Sequence, residues 1–532
     1  MLEGSGDPET DLPEWLRSGA PVGWKGALVP NGAFPTVDGH TEAAKKSMQW
    51  GADNGSHVNA APATCSPNYN SFYDAGSHAD AEVKRILEKG FTREFDSWED
   101  LVAELGPDVV VNKLGCVLKV KISGDTKARL VTDLRRSGGN GRLKIRERVA
   151  RPRVLDLVFS ILRLVEYWGD IALIDLAAID FSDAFHTIFL RWDERPLCVF
   201  ESNGKYYVYL RLPFGLASAP LVWGRLAAAA FRLTQAMAVR AEYESHCYVD
   251  DPGMAVAGSS AWSRKRSLSL VLLFLMCLGL DISWMKAQFG KSIEWLGVII
   301  ELTHKDGRPG VSVTIPASKC TDIVAEIDEI LADCGMTHEK KLRRVAGRVG
   351  WIAGIILWAK SFASILYAAA HEDPNKMSAR TAKRRAKRPE HLRFVTRPAE
   401  QALKWTRTLL QGNLRGAGGK LLPLTRHFTL PGTSSGRLVI RCDASPWGFG
   451  GLLEQDGVCV SYWADEISDT DRKVCPGQAG DPAFQAEWEL YAILISIVVW
   501  QSRLAGGHVA CLETDSMAKR ARVPNCRRTR PR

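Results

Sequence analysis

The run Ile171–Ile179 reads as a buried strand, and it ends on an acid, Asp180. A second acidic stretch, Tyr248-Val249-Asp250-Asp251, lies between the polar run Glu242–His246 and the apolar Met254–Ala257, where a short hairpin is expected to turn. Segments this far apart form one site where a sheet sets their acidic strand ends side by side. Three carboxylates at adjacent strand ends are a donor set for two magnesium ions. Such a pair activates an attacking hydroxyl and stabilises a leaving pyrophosphate.

The rest of the chain agrees with a large, multidomain molecule that meets a polyanion. Its 532 residues, 46% of them hydrophobic, are enough for several cores. The net charge of +9 is uneven: residues 1–100 hold 8 Lys/Arg against 16 Asp/Glu, leaving 61 against 44 for the remainder. A basic body suits nucleic acid. The 12 cysteines form no Cys-x-x-Cys pair and no zinc-spaced cluster, so they read as reduced thiols of an intracellular protein, in cytoplasm or nucleus. There is no signal peptide pattern, and the longest apolar run, Leu268–Leu280, is too short to span a bilayer.

Residues 1–95, rich in Gly, Pro, Ser, Asn and Ala, read as a disordered or irregular acidic leader, with order beginning at a short helix over Trp98–Leu105. Further on, Val117–Ile122 and Arg129–Thr132 predict a hairpin, and Leu155–Tyr167 a helix. Val199–Leu212 predicts a second hairpin around Asn203-Gly204. Leu216–Ala238 and Leu268–Leu280 predict helices, and Ile293–Leu302 a single strand. Residues 316–411 look helical, with basic clusters at Lys340–Arg348 and Lys383–Arg388; a Gly-rich linker then leads to a separate unit. The class is α+β, with an antiparallel sheet.

Taken singly, Tyr-x-Asp-Asp and Asp180-Phe181-Ser182-Asp183-Ala184-Phe185 are weak signals, since a surface turn and a helix cap explain them equally well. Their order, their spacing of 70 residues, and the intervening Leu212-Pro213-Phe214-Gly215-Leu216-Ala217-Ser218-Ala219-Pro220 give them weight. Together the three resemble motifs A, B and C of reverse transcriptases. Arg129–Arg135 with Asn140 resembles the triphosphate-gripping fingers segment, Gly279-Leu280-Asp281 with Lys286 resembles motif D, and Glu294-Trp295-Leu296-Gly297 resembles the primer grip.

The resemblance implies a right-hand polymerase: fingers and palm over 96–315, a helical thumb or connection over 316–411, and a linker over 412–436. It implies that Asp180, Asp250 and Asp251 hold two Mg2+ ions, or Mn2+. Phe181, Ser182, Asp183 and Ala184 would flank the triphosphate, with Phe214 and Gly215 beneath the nucleotide. Phe185 would exclude a ribose 2′-hydroxyl. Arg129 and Lys121 would neutralise phosphates, with Lys119 and Lys127 as competitors for the lysine role. Lys286 would protonate pyrophosphate, and Trp295, Leu296 and Gly297 would place the primer end. The implied partners are an RNA or DNA template with its primer, and dNTPs. Leu-Pro-Phe-Gly resembles the form found in retrotransposons, and together with the Asp-Ala-Ser-x-x-Gly-x-Gly that starts at Asp443 it leans towards tyrosine-recombinase (DIRS-like) elements.

Residues 437–532 resemble a ribonuclease H fold, through Asp443, Glu489 (with Glu487 as alternative) and Asp515. Only 17 residues follow Asp515, so the module is expected to be truncated and its hydrolytic activity doubtful. The rival reading of the chain is a catalytically inactive nucleic-acid-binding remnant of a retroelement.

Overall fold

The computed structural model describes residues 7–36, 67–120, 126–239, 241–305, 307–333, 335–371, 392–415, 421–429, 438–445, 447–474, 481–504 and 510–513. They fall into two compact units, one within 1–303 and 310–428, the other within 304–309 and 429–532. Helices and sheets are mixed throughout, so the class is α+β, as expected.

The first unit begins with α1 (Leu12–Ser18), α2 (Asn70–Ala75) and α3 (Ser77–Glu88). Leu12, Trp15, Phe72, Val83 and Ile86 are buried in its main core. The expectation of an irregular leader over 1–95 is thus corrected for the described residues. Their apolar side chains are too sparse to show a period. Order comes instead from distant partners: the buried Glu194 accepts the backbone N–H groups of Val22 and Lys25, and buried Glu9 takes a two-oxygen grip on Arg225 Nε (2.8 and 3.1 Å).

There follow β1 (Thr92–Phe95), α4 (Trp98–Leu105), β2 (Val111–Val120), β3 (Thr126–Asp133), α5 (Val154–Trp168), β4 (Ile174–Ala178), β5 (Val199–Ser202) and β6 (Lys205–Tyr209). Helix α4 starts where Ser97 Oγ accepts the Asp100 N–H. Helix α5 buries Leu157, Ile161, Leu164 and Val165 at helical spacing, and Gly169, at φ 73°, closes it. A five-stranded sheet runs β1-β6-β5-β2-β3. Its expected hairpins are present: β2 pairs antiparallel with β3, and β5 joins β6 through Asn203 and Gly204, both at positive φ.

The sheet beneath the candidate site adds β7 (Tyr243–Tyr248), β8 (Asp251–Ala257) and β9 (Gln288–Gly290) in the order β7-β8-β4-β9, all antiparallel. Every residue of β4 is buried. Helices α6 (Ala219–Met237) and α7 (Ala261–Cys277) flank these strands in sequence. The expected single strand over Ile293–Leu302 is two, β10 (Ser292–Trp295) and β11 (Val298–Lys305), because Leu296 and Gly297 take positive φ and reverse the chain. β12 (Arg308–Thr314) continues that sheet.

Residues 317–410 supply α8 (Ala317–Ala332), α9 (Glu339–Ala353), α10 (Lys360–Ala370) and α11 (Arg397–Leu410), with a small ladder between β13 (Met336–His338) and β14 (Leu392–Phe394). The basic face of α9 is largely ion-paired within the unit: Arg344 and Arg348 meet Glu326, Lys341 meets Glu329, and Arg343 meets Glu339. Lys383–Arg388 lies outside the described residues. The expected linker, 412–436, contains β15 (Thr425–Thr429), which lies beside β12 in the sheet. That corrects its reading as a plain connector.

The second unit holds β16 (Leu438–Ala444), β17 (Gly448–Gln455), β18 (Val458–Glu466), α12 (Gln485–Val499) and β19 (Ala510–Glu513). Three antiparallel strands are followed by a helix and a fourth strand parallel to the first, in the order β18-β17-β16-β19. Ile440, Phe449, Leu453, Trp488 and Ala492 form its core. No helix among the described residues is long and apolar enough to cross a membrane.

Candidate active site

The backbone brings the three acids together. Ile179 N–H donates to Pro252 O (3.2 Å) and Phe181 N–H to Asp250 O (2.9 Å), so Asp180 is bracketed by bonds to the Asp250 turn. Tyr248 faces Asp251 in the ladder, leaving Val249 and Asp250 as a two-residue turn, the expected hairpin. On the other side, Ser182 N–H donates to Asp281 O and Ser283 N–H to Asp180 O, both at 2.8 Å. That loop carries Lys286, whose Nζ is ion-paired with Asp180 Oδ2.

Burial raises the Asp250 carboxyl above its ordinary range, helped by the Asp180 charge and opposed by Arg129 and Lys286. Asp251 is pushed up to about 6 by burial and by the charges of Asp250 and Asp180. Partly buried carboxylates that repel one another are relieved by a cation, and all-oxygen donors suit Mg2+ or Mn2+. Among the described residues, no group of three or more His, Cys, Asp or Glu side chains is placed so as to hold a metal ion. The acids lie near enough for the charges of Asp180 and Asp250 to act on Asp251, and the Lys286 ammonium is the cation at Asp180.

Around the acids, Phe181 is buried edge-on to Trp223, with centroids 5.8 Å apart. The Phe181 and Ser182 amides are taken by Asp250 O and Asp281 O. This departs from the expectation that they face a triphosphate. Asp183 takes φ 50° and binds Arg85 Nη1 (3.0 Å) and Lys89 Nζ (2.7 Å). Ala184 is buried. Phe185 packs on Phe214 (5.2 Å), and the Arg129 guanidinium lies over the Phe214 ring (5.1 Å). Gly215, at φ 109°, admits no side chain: a Cβ there would lie 1.8 Å from Thr132 O. Asn140 braces the same loop, donating to Gly215 O and accepting from Ala217 N–H (both 2.9 Å).

Trp295 is buried, with its indole turned inward, while the Leu296-Gly297 turn of its hairpin is half-buried and Glu294 is exposed. Lys121 and Asp515 lie outside the described residues. In the second unit, Asp443 is exposed on β16, and Gln485 Nε2 links Ala444 O to Glu489 Oε1. Arg85, Lys89 and Trp223 were not legible in the sequence. The first two sit in the segment that reads as irregular, and a tryptophan in an apolar helix reads as core.

Residues 175–300 match the family model described as reverse transcriptase (RNA-dependent DNA polymerase). That stretch is similar to a reverse transcriptase domain. It is 25% identical over 240 residues to the retrovirus-related Pol polyprotein from transposon gypsy of Drosophila melanogaster, covering 45% of this chain and 20% of that protein. The same organism's Pol polyprotein from transposon 297 is 27% identical over 279 residues, 51% of this chain and 23% of that one. The chain thus spans about a fifth of the length of these curated relatives. Among solved structures, a foamy viral protease–reverse transcriptase in complex with dsDNA is similar at a TM-score of 0.48 and 15% identity, covering 91% of this chain and 88% of that chain. The same viral protein with an RNA/DNA hybrid gives a TM-score of 0.46 and 15% identity, over 86% and 51% of the two chains. The matched stretch, 175–300, includes Asp180, Asp250, Asp251, Lys286 and Trp295.

Proposed function

We propose that the chain is an RNA-directed DNA polymerase of a retroelement, adding dNTPs to a primer on an RNA or DNA template. One observation carries the reading: main-chain bonds from Ile179 and Phe181 set Asp180 against the Asp250–Asp251 turn, inside the stretch that matches the reverse transcriptase model. Asp180, Asp250 and Asp251 would hold Mg2+ or Mn2+. Ions so bound promote attack of the primer hydroxyl on the dNTP α-phosphate and stabilise the departing pyrophosphate.

The protein's own groups do the rest. Arg129 places a guanidinium fork for phosphate oxygens. The Asp183–Phe185 turn meets the triphosphate, since the preceding two amides are engaged by the fold. Phe185, backed by Phe214, crowds the 2′ position of the incoming sugar and favours dNTPs. Gly215 lets a flat base pair approach the main chain. Lys286, at Asp180, is the proton donor to pyrophosphate, and the Leu296-Gly297 turn supports the primer end.

The second unit fits a ribonuclease H-like module. What supports this is the strand β19 lying parallel to β16 after a helix, with Glu489 tied through Gln485 to the end of the strand that bears Asp443. A catalytically inactive remnant is not favoured, because all three acids stand within the matched stretch.

Primer extension on an RNA template with dNTPs and Mg2+ tests the reading. The unaltered chain should extend the primer, and Asp250→Asn should do so at least about 100-fold more slowly, having lost a carboxylate that holds the ions. Equal rates would remove the proposed centre.

A further inference from the structure

We propose that Trp223 and Trp295 are positioning residues for this reaction, whose indole N–H groups hold the strained turn that aims the Asp250 carboxyl. The proposal rests on the polymerase reading above, and goes beyond it in naming what sets the geometry of the acids.

Three consecutive carbonyls of the turn are each held from a different element. Trp223 Nε1, on α6, donates to Val249 O at 2.7 Å. Phe181 N–H, following β4, donates to Asp250 O at 2.9 Å. Trp295 Nε1, on β10, donates to Asp251 O at 3.0 Å. The turn therefore has little freedom to rock about its strands.

Such restraint is needed because of what occupies the turn. Val249 sits at φ 56°. Two-residue hairpin turns with positive φ at the first central position alone use glycine there, and a β-branched residue in the left-handed region is an outlier. A strained conformation persists only where its surroundings over-determine it. The two indoles supply that restraint from side chains that are almost completely buried.

The packing is arranged around them. A Cβ on Gly253 would lie 2.8 Å from the Trp295 ring, so the glycine is what lets that indole lie against β8 and reach Asp251 O. Trp223 also meets Phe181 edge-on. One side chain thus touches the residue after Asp180 and the residue before Asp250. A phenylalanine at either position would keep most of the apolar contact and lose the donor.

The test uses the full chain with Trp223 or Trp295 replaced by benzothienylalanine, in which sulfur takes the place of the indole N–H in a ring of nearly the same size. Trp223→Phe and Trp295→Phe serve as coarser versions. Amide hydrogen exchange across 248–252, measured without nucleotide or added metal, should rise at least about tenfold as the turn is released. In primer extension, kcat should fall roughly 10- to 100-fold with the dNTP KM within about twofold, as displacement of a reacting group predicts. Val249→Gly, which relieves the strain, should restore part of that kcat in the substituted protein. Unchanged exchange overturns the proposal whatever the kinetics, and so does a KM that rises in step with the loss of rate. If the unaltered chain extends no primer, the polymerase reading fails, and exchange alone then decides whether the indoles hold the turn.

Discussion

Asp183 illustrates how a residue inside a reactive motif can serve the fold. Burial alone would raise its carboxyl, but the hydrogen bonds and charges of Lys89 and Arg85 outweigh that and hold it at about 2, against an ordinary 3.8. A carboxyl depressed in the folded state contributes stability that is present above its unfolded value and is lost as pH falls through the folded one. Wild type should therefore lose ~1–2 kcal/mol between about pH 4 and pH 2 relative to Asp183→Asn, after allowance for solvent screening at a quarter-exposed side chain. Acid unfolding followed by circular dichroism checks this; parallel curves for the two proteins would refute it. At Phe185 the expected consequence is chemical. With its ring gone in Phe185→Val, rNTP incorporation relative to dNTP should rise at least about tenfold in single-nucleotide extension. Gly215 allows no such latitude, since any side chain there meets Thr132 O.

At the level of elements, the segment ahead of α1 is tied to α6 by charge. Glu9 and Arg225 are both wholly inaccessible, Arg225 lies over the Trp15 ring (4.4 Å), and Arg232 holds Asp7 (2.7 Å). Removing one member of a buried pair strands the other without its counter-charge, which costs about 3–5 kcal/mol. Glu9→Ala should lower the melting temperature accordingly, while replacing both partners with apolar residues of similar size should recover much of the loss; a single change with no effect on melting would show the pair to be incidental. The elements themselves differ in how readable they are. Helix α5 and the Asn203-Gly204 hairpin are set by neighbouring residues, so periodicity and turn chemistry reveal them. The β10–β11 turn at Leu296-Gly297 is hidden, because leucine is an unusual choice at positive φ. The Lys340–Arg348 stretch of α9 reads as a basic cluster, yet acids of α8 are set against it.

For the whole molecule, the two-unit division makes the position of a cut informative. β15 lies in the sheet with β12, and Ile315 N–H donates to Leu424 O (3.1 Å), although 412–436 reads as linker. Ending the chain at 411 should destabilise the first unit, whereas ending it just after Thr429 should leave its melting and its primer extension near those of the full chain. Equal melting of the two shortened chains would show β15 to be dispensable. What the sequence alone determines is local: apolar strands that end on acids, a hairpin centred on Val249-Asp250, and a loop in which glycine must precede a small-residue helix. Neighbour preferences along the chain encode these, and they point to the chemistry. Tertiary structure decides what holds the acids in register and what orders the first residues. Those depend on contacts between residues more than a hundred positions apart, such as Glu9 with Arg225, or on which way an indole N–H faces once buried, as at Trp223. No local pattern records such contacts, because each exists only after separate elements have packed.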